Sequence, residues 1–277
     1  MIRVAAVSDV HLGPDVTGTI RPHLAGIADH ADVLLLAGDL TQHGTTDETE
    51  IVAAEFRDIG VPVVAVLGNH DYQCDSQDAI TRMLQAAGIT VLEGSGIVLG
   101  LPGGRLGVAG TKGFGGGFPG RCGSEFGEPE MKAFVRHSRR LADAMGTALR
   151  DLDADFRVAL THYSPVADTL AGEPPEIYPF LGSYFLAEAA DSAAAELAVH
   201  GHAHAGQECG VTPGGTPVRN VALPVLRRAY AVYCLGPGGL PRASGGAESR
   251  RRSAGSSPLA RTGVGEPSSG NRAFARR

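Results

Sequence analysis

Short apolar segments, most of which end at polar residues, recur along the first half of the chain. Residues 33–37 and 62–67 are apolar on consecutive positions, and residues 2–7 are apolar except for Arg3, so both faces of an extended backbone would be mainly apolar there. Runs of this length and character are typical of strands buried on both sides, as in a parallel sheet. We therefore predict three buried strands within the first 70 residues.

Helical patterns fill the intervals between these strands. Residues 20–27 place three apolar side chains on one helical face, and Thr45 with Glu48 has the spacing of a capping box, in a segment that Gly60 closes. A further helix is predicted over residues 76–88. Alternating strands and helices favour an α/β fold with right-handed crossovers.

The second half of the chain has a different pattern. A glycine-rich loop covers residues 113–120, and a long amphipathic helix begins near Pro129. Strands are predicted on both sides of that helix, the last two of them antiparallel. These predicted strands are residues 97–99, 106–109, 156–160, 197–199, 218–222 and 229–235.

Composition excludes several classes of protein. The 277 residues are 43% apolar and 19% charged, which is enough to form a core. No apolar run approaches the ~18–20 residues of a membrane span, and the N-terminus lacks a signal-peptide pattern. The four cysteines are far apart in the sequence, which argues against a disulfide framework or a thiolate zinc site. We therefore predict a cytoplasmic protein without a membrane span.

Charge divides the chain into two unlike parts. The net charge is −6, yet residues 237–277 contain eight arginines and two glutamates, so the first 236 residues carry −12. Residues 237–277 are rich in glycine, proline, serine and arginine and poor in large apolar residues, a composition that does not support a packed core. We predict one folded domain over residues 1–236 and a disordered tail over 237–277.

Candidate chemistry is concentrated where the predicted strands end. Five polar clusters follow strands there, and they contain five of the ten histidines. The carboxyl ends of strands are where α/β proteins place their sites. The clusters are Asp9-Val10-His11, Gly38-Asp39, Gly68-Asn69-His70-Asp71, Thr161-His162 and Gly201-His202-Ala203-His204.

These clusters offer carboxylate, carboxamide and imidazole donors without a thiolate. That mixture suits Mn²⁺, Fe²⁺ or Zn²⁺ in an open site rather than a closed structural zinc site. Seven donors exceed what one ion takes, so two divalent metal ions are implied. The candidate ligands are Asp9, His11, Asp39, Asn69, His162, His202 and His204.

The last cluster carries two further expectations. His202 and His204 are separated by one residue, which would project both side chains to the same side of an extended backbone. Gly201 lacks a Cβ, and we expect its absence to leave room for an adjacent ion.

Taken in order, the five clusters resemble the motifs of the calcineurin-like metallophosphoesterase superfamily, and the resemblance spans residues 9–204. It implies a four-layer α/β/β/α sandwich of two mixed sheets flanked by helices. It implies that Asp39 bridges the two ions, and that His70 faces the substrate instead of binding metal. It further implies one ion held by Asp9, His11 and His204, and a second held by Asn69, His162 and His202.

Details of the motifs narrow the resemblance. Gly38-Asp39 continues as Leu40-Thr41, and the third motif ends in Asp71, whereas protein serine/threonine phosphatases have G-D-x-x-D-R-G and a glutamate. The fourth motif, residues 161–165, departs from His-x-Pro-Pro but keeps its histidine. The sequence is therefore more similar to the small bacterial and archaeal phosphoesterases.

The resemblance implies hydrolysis of phosphomonoesters or phosphodiesters by a hydroxide that bridges the two ions, with His70 protonating the leaving oxygen. Asp71 either orients a neighbouring histidine or caps a turn. The 113–120 loop is either a lid, with Phe114, Phe118 and Arg121 touching a small phosphorylated substrate, or a flexible surface loop.

Two other functions stay open at this point. The domain could bind a metal or a phosphorylated ligand without turnover and act as a regulator. It could also be a nuclease that holds nucleic acid with the arginine-rich tail, although the acidic body argues against extended contact with a phosphate backbone. Deleting residues 237–277 separates these cases, because only a tail-dependent nuclease would lose its activity in a salt-sensitive way.

Overall fold

Two six-stranded sheets lie at the centre of the computed structural model, which describes residues 1–236 and a short strand at 243–244. The strands are β1 (Ile2–Val7), β2 (Val33–Ala37), β3 (Val63–Val66), β4 (Ile89–Val91), β5 (Ser95–Leu101), β6 (Gly104–Thr111), β7 (Gly117–Phe118), β8 (Arg121–Cys122), β9 (Phe156–Thr161), β10 (Leu197–His200), β11 (Cys209–Val211), β12 (Pro217–Asn220), β13 (Ala231–Leu235) and β14 (Ala243–Ser244). The helices are α1 (Thr46–Phe56), α2 (Gln77–Ala86), α3 (Pro129–Asp151), α4 (Tyr178–Leu181), α5 (Tyr184–Ser192) and α6 (Leu223–Leu226).

Both large sheets are mixed. The first has the order β14-β13-β1-β2-β3-β4, in which β1 to β4 are parallel and β13 is antiparallel to β1. The second has the order β11-β12-β10-β9-β6-β5, in which β6, β9, β10 and β12 are parallel. Strands β7 and β8 form a separate two-stranded hairpin.

Three apolar cores define four layers. Alternate residues of β1 and β2 face opposite sides, so Val4 and Val33 pack between the two sheets while Ala5 and Leu34 pack against α1 and α2. On the outer face of the second sheet, α3 and α5 cover β6, β9 and β10 through side chains that include Met145. The architecture is the predicted α/β/β/α sandwich.

Most predicted elements are confirmed. Strands β1 and β2 have the predicted bounds, and the capping box at Thr45 is formed in both directions. The long helix starts at Pro129, as its amphipathic pattern indicated. Of the two final strands predicted to be antiparallel, β13 is antiparallel to β1, but β12 is parallel to β10 and antiparallel only to β11.

The helix predicted over residues 20–27 is wrong. Two short 3₁₀ turns, Arg21–Leu24 and Ile27–Asp29, occupy this segment, and Gly26 between them has a φ of 74°. A left-handed residue cannot continue a right-handed helix, so the segment breaks there. The apolar side chains are nevertheless buried, because two consecutive turns still direct them toward the core.

The domain boundary predicted between residues 236 and 237 stays a prediction, because the structure does not describe residues 237–242. The predicted disordered tail, residues 237–277, lies outside the described residues except for β14, which pairs with β13. None of the helices in the described part of the chain is long and apolar enough to cross a bilayer.

Candidate metal centre

The polar ends of five parallel strands converge at one edge of the sandwich. Three groups of side chains there have donor atoms within 4.8 Å of one another. The groups share members, so they form one continuous cluster of candidate ligands. The groups are Asp9, His11 and His204; His11, Asp39 and His70; and Asp39, His162 and His202.

The first group joins the end of β1 to the loop after β10. His204 Nε2 lies 2.8 Å from Asp9 Oδ1, and the backbone N–H of His202 donates to Asp9 Oδ2 at 3.0 Å. The rings of His11 and His204 are 5.4 Å apart between centroids. Asp9 is therefore one point at which the first and second sheets meet within the site.

The third group, with the neighbouring Asn69, joins the ends of β2, β3, β9 and β10. His162 Nε2 lies 3.0 Å from Asn69 Oδ1 and 3.3 Å from Asp39 Oδ1. The His202 ring lies 4.8 Å from the His162 ring. His202 and His204 thus lie in different groups of the same cluster, as expected of ligands to two different ions.

Asp39 belongs to two of the three groups, so its negative charge lies between them. His11 Nε2 lies 3.8 Å from Asp39 Oδ2, while His162 is beside the other carboxylate oxygen. Burial acts to raise the pKa of Asp39, but the charge and hydrogen bond of His162 outweigh it and lower the pKa well below its usual value. In Asp9, burial likewise opposes the His204 hydrogen bond, and the net pKa is again lowered. Both carboxylates are thus ionised at neutral pH.

Backbone carbonyls orient two of the imidazole rings. His162 Nδ1 lies 2.9 Å from the Ala37 carbonyl, and His202 Nε2 lies 3.4 Å from the Phe180 carbonyl. A carbonyl only accepts, so each of these nitrogens donates and leaves the other ring nitrogen for the site. Burial lowers the pKa of His202 to about 3, whereas Asp39 overcomes the burial of His162 and raises its pKa to about 9.

Several ligand candidates have unusual backbone conformations. Asp9, His11, Asp39 and His202 have φ values of 57°, 41°, 50° and 70°. Non-glycine residues seldom adopt the left-handed region, and they cluster there at functional sites. This conformation turns each side chain away from the direction of its strand and toward the shared cluster.

Gly201 packs closely against the end of β1. A Cβ at this position would overlap Ser8 Oγ and the Asp9 carboxylate, which approach the backbone closely. The Ser8 hydroxyl donates to Asp9 Oδ2 at 2.5 Å. The glycine therefore makes room for the end of β1, including the candidate ligand Asp9.

His70 reaches the cluster from the loop after β3. Its Nδ1 lies 2.7 Å from the Gln42 carbonyl, so Nε2 is directed toward the site, where it is 4.0 Å from Asp39 Oδ2. The His70 side chain is 40% exposed, in contrast to the fully buried His162. His70 is thus open both to solvent and to Asp39.

Asp71 connects two of the loops. Its buried carboxylate accepts hydrogen bonds from the backbone N–H groups of Leu40, Thr41 and Gly68 and from the Thr41 hydroxyl, at 2.6–3.1 Å. Burial, followed by the nearby Asp39 charge, raises its pKa. Of the two predicted roles, these contacts match the capping of a turn.

The 113–120 loop is packed, which differs from an exposed surface loop. Gly116 N–H donates to the Pro179 carbonyl at 2.6 Å, and Gly117 N–H donates to the Gly182 carbonyl at 2.9 Å. Phe118 is buried in a small apolar cluster. Phe114 is half-buried against Tyr163, and the exposed Arg121 guanidinium lies 5.7 Å from the Tyr178 ring.

Sequence reasoning missed Lys112. Its buried ammonium lies 5.0 Å from the Tyr72 and Phe114 rings and 5.1 Å from the Tyr163 ring, and burial lowers its pKa. The signal was available, because Lys112 directly follows the end of β6, the neighbour of β9 in the second sheet. This cation and its aromatic surroundings adjoin His162.

The donor set fits divalent metal ions. His11 Nε2 is buried without a hydrogen-bond partner among the described residues, although it faces the Asp39 carboxylate. An unpartnered buried nitrogen is costly, and a metal ion would satisfy it. The surrounding donors are oxygen and imidazole nitrogen, the preference of Mn²⁺, Fe²⁺ and Zn²⁺.

Comparison with known proteins agrees with this geometry. The family model described as calcineurin-like phosphoesterase matches residues 2–206, and the chain therefore belongs to that family. No protein in the curated set matches the chain. The match to the family model is therefore the finding that classifies this chain.

Solved structures share the fold at low sequence identity. Phosphopantetheinyl hydrolase from Mycobacterium tuberculosis is 18% identical with a TM-score of 0.64, over 86% of this chain and 98% of that one. The protein TT1561 of Thermus thermophilus is 16% identical with a TM-score of 0.54, over 84% and 93% of the two chains. A putative 5'-nucleotidase from Staphylococcus aureus is 16% identical with a TM-score of 0.54, over 88% of this chain and 52% of that one.

Proposed function

We propose that this member of the calcineurin-like phosphoesterase family hydrolyses small phosphate esters with the help of two divalent metal ions. The observation that carries the proposal is the position of Asp39 between two sets of donors, one of which contains the unpartnered nitrogen of His11. A carboxylate shared by two donor sets is the arrangement expected of a two-metal site.

Two sets of residues would hold the ions, with Asp39 belonging to both. When bound, such ions lower the pKa of water and offset the charge of the phosphoryl oxygens. Mn²⁺ is our first choice for the assays because the donors are oxygen and imidazole nitrogen. One ion would be held by Asp9, His11 and His204, and the other by Asn69, His162 and His202.

Hydrogen bonds to backbone carbonyls prepare two of the candidate histidines to bind metal. Because His162 donates from Nδ1 to the Ala37 carbonyl, Nε2 is its ligand atom. Because His202 donates from Nε2 to the Phe180 carbonyl, Nδ1 is its ligand atom. These partners fix the rings before an ion binds, which limits the entropy lost on binding.

His70 is suited to act as the general acid. Its Nδ1 donates to Gln42, so a proton on Nε2 would face the site and can pass to the leaving oxygen. In the overall reaction, the bond between phosphorus and the leaving oxygen breaks, and the hydroxyl of water is added to phosphorus. The leaving group departs as an alcohol or phenol with the proton from His70, which the remaining proton of water restores.

The names of the structural neighbours support a small organic ester as substrate. One is a phosphopantetheinyl hydrolase and another a putative 5'-nucleotidase, both named for substrates with a phosphate on an organic group. We propose a substrate of this kind, and a cytoplasmic location in keeping with the dispersed, unpaired cysteines.

The test is a parallel assay of the purified full-length chain, loaded with Mn²⁺. Turnover is measured on p-nitrophenyl phosphate, bis-p-nitrophenyl phosphate and cyclic AMP, which separate monoesterase from diesterase activity. We expect hydrolysis of at least one ester, loss of that activity on chelation, and recovery when Mn²⁺ is restored. Metal binding without turnover on any of the three would favour the regulatory binding protein instead.

A further inference from the structure

Three phenylalanine rings form a connected surface beside the metal centre. The Phe114 and Phe134 ring centroids are 5.1 Å apart, and those of Phe134 and Phe180 are 6.5 Å apart. We call these three residues the aromatic wall. They come from three segments, the loop after β6, helix α3 and helix α4, so folding brings them together from distant parts of the sequence.

Both ends of the aromatic wall reach His202. At one end, the Phe114 ring is 5.9 Å from the Tyr163 ring, which is 4.3 Å from the His202 ring. At the other end, the Phe180 carbonyl accepts from His202 Nε2 at 3.4 Å. The wall is therefore continuous with a candidate metal ligand and borders the place where a phosphoryl group would bind.

Contacts with neighbouring side chains and backbone hold the aromatic wall in place. The buried ammonium of Lys112 lies 5.0 Å from the Phe114 ring, a cation–π contact, and the His137 ring packs edge-on against Phe114 at 4.8 Å. The loop that carries Phe114 is tied to the segment before Phe180 by the hydrogen bond from Gly116 to Pro179. A surface held in this way is organised before a ligand arrives, which favours binding.

Phe180 is the member of the aromatic wall that a ligand can reach. It is 61% exposed, and Ile177, three residues earlier, is 37% exposed, while Phe114 and Phe134 are half-buried. A scattered exposed phenylalanine needs no explanation. Phe180 differs because its own backbone holds a candidate ligand in place.

We infer that the aromatic wall binds the leaving group of the substrate, and that this group contains an aromatic or heteroaromatic ring that stacks on Phe180. The inference rests on the proposed esterase function for the position of the phosphoryl group. Aromatic faces stack favourably with planar rings, whereas a hydroxylated chain would lose hydrogen bonds to water against phenyl rings. The chemistry of the wall thus favours an aryl-type leaving group over a polyol.

The test uses a pair of phosphonates, which bind like phosphate esters but cannot be hydrolysed at the P–C bond. Binding of phenylphosphonate and methylphosphonate to the full-length, Mn²⁺-loaded protein is measured by calorimetry. We expect the unaltered protein to prefer the phenyl compound, and Phe180→Ala to reduce that preference about tenfold. Phe180→Tyr, which keeps an aromatic face, should retain most of it.

Phe126→Ala is the matched control, because Phe126 is 81% exposed and lies outside the aromatic wall. It should leave the preference unchanged. The inference is overturned if the unaltered protein does not distinguish the two phosphonates, if it binds neither, or if Phe180→Ala keeps the preference. Circular dichroism of Phe180→Ala verifies that a lost preference does not reflect unfolding.

Hydrolysis assays separate this inference from the proposed function. If phenyl phosphate and methyl phosphate are both hydrolysed and Phe180→Ala changes neither KM, the aromatic wall does not bind the leaving group although the esterase activity stands. If no ester is hydrolysed but Phe180→Ala still removes the preference for phenylphosphonate, the esterase proposal fails, and the wall is a binding surface for an aromatic group but not for a leaving group.

Discussion

The two sheets contribute differently to the site. Asp9, His11, Asp39, Asn69 and His70 follow β1, β2 and β3, and we call them the carboxylate half. His162, His202 and His204 follow β9 and β10, and we call them the imidazole half. Both carboxylates of the cluster of candidate ligands lie in the first half.

The halves are held by the same kinds of contact in different proportions, since His202 of the imidazole half is also left-handed and the His70 ring of the carboxylate half is also fixed by a carbonyl. In the carboxylate half, Asp71 joins the loops after β2 and β3, and Asp9, His11 and Asp39 have left-handed backbones. In the imidazole half, carbonyls fix two rings from outside, one from Ala37 and one from Phe180. The comparison indicates that both candidate carboxylate ligands come from the first sheet, while three of the four candidate imidazole ligands come from the second.

The largest effect should follow Asp39→Asn, which removes charge from the centre of the carboxylate half. An amide would pair poorly with His11 and His162, and metal affinity should fall together with the charge. We expect turnover below detection and bound metal reduced by at least one ion, measured by elemental analysis. Retention of both ions would show that the charge difference between the halves is unimportant for binding.

His70→Ala tests whether one member of the carboxylate half acts in chemistry and not in binding. Loss of a general acid typically reduces turnover ~10²–10⁴-fold, and we expect that range with metal content unchanged. His30→Ala, at an exposed position in a loop, is the control. Loss of metal would contradict the assignment, because His70 also lies within reach of Asp39 and could then be a ligand.

Much of this architecture could be predicted from the sequence, for a physical reason. Strand β2 is buried along its whole length, so its apolar run marks its bounds. Helix α3 is half-buried, so its apolar period marks its course. Helix α5 was missed because residues 184–192 are apolar on most sides, which obscures the helical period.

The candidate site, like the fold, could be predicted only where a local pattern in the sequence marks it. Its ligand candidates could be found because each lies in a short polar cluster that directly follows a strand. The aromatic wall and Lys112 could not be found as a group, because packing of β6, α3 and α4 brings them together and no local pattern encodes that contact. The close contact between Gly201 and Ser8 could not be predicted for the same reason, because the two residues are distant in sequence.

Asp71→Asn tests whether the rigidity of the carboxylate half matters. One of the two carboxylate oxygens would become an amide group, which cannot accept from the backbone donors at Leu40, Thr41 or Gly68. Residues that support ligands typically contribute ~10–100-fold to metal affinity, and we expect Mn²⁺ affinity to fall by that amount. Asp75→Asn, at an exposed position nearby, is the control. Unchanged affinity would mean that the loops keep their positions without this bridge.

Asp32→Asn should have the smallest effect, because Asp32 precedes β2 at the end opposite Asp39. Its carboxylate accepts from the backbone N–H and the guanidinium of Arg3, both at 2.7 Å. Burial acts to raise the pKa of Asp32, but the Arg3 hydrogen bonds outweigh it and lower the pKa. This partly exposed pair contributes on the order of 1 kcal/mol or less.

Because its folded-state pKa is lowered, Asp32 stabilises the fold above the unfolded pKa of ~3.9, and this stabilisation is lost as the pH falls through the lower, folded value. Asp32→Asn should therefore lower Tm slightly at pH 7, with the difference shrinking in acid, and leave turnover and bound metal unchanged. Thermal unfolding at several pH values measures the first effect. A loss of turnover comparable to that of Asp39→Asn would show that the activity depends on the net charge of the strand region and not on which end of β2 carries the carboxylate.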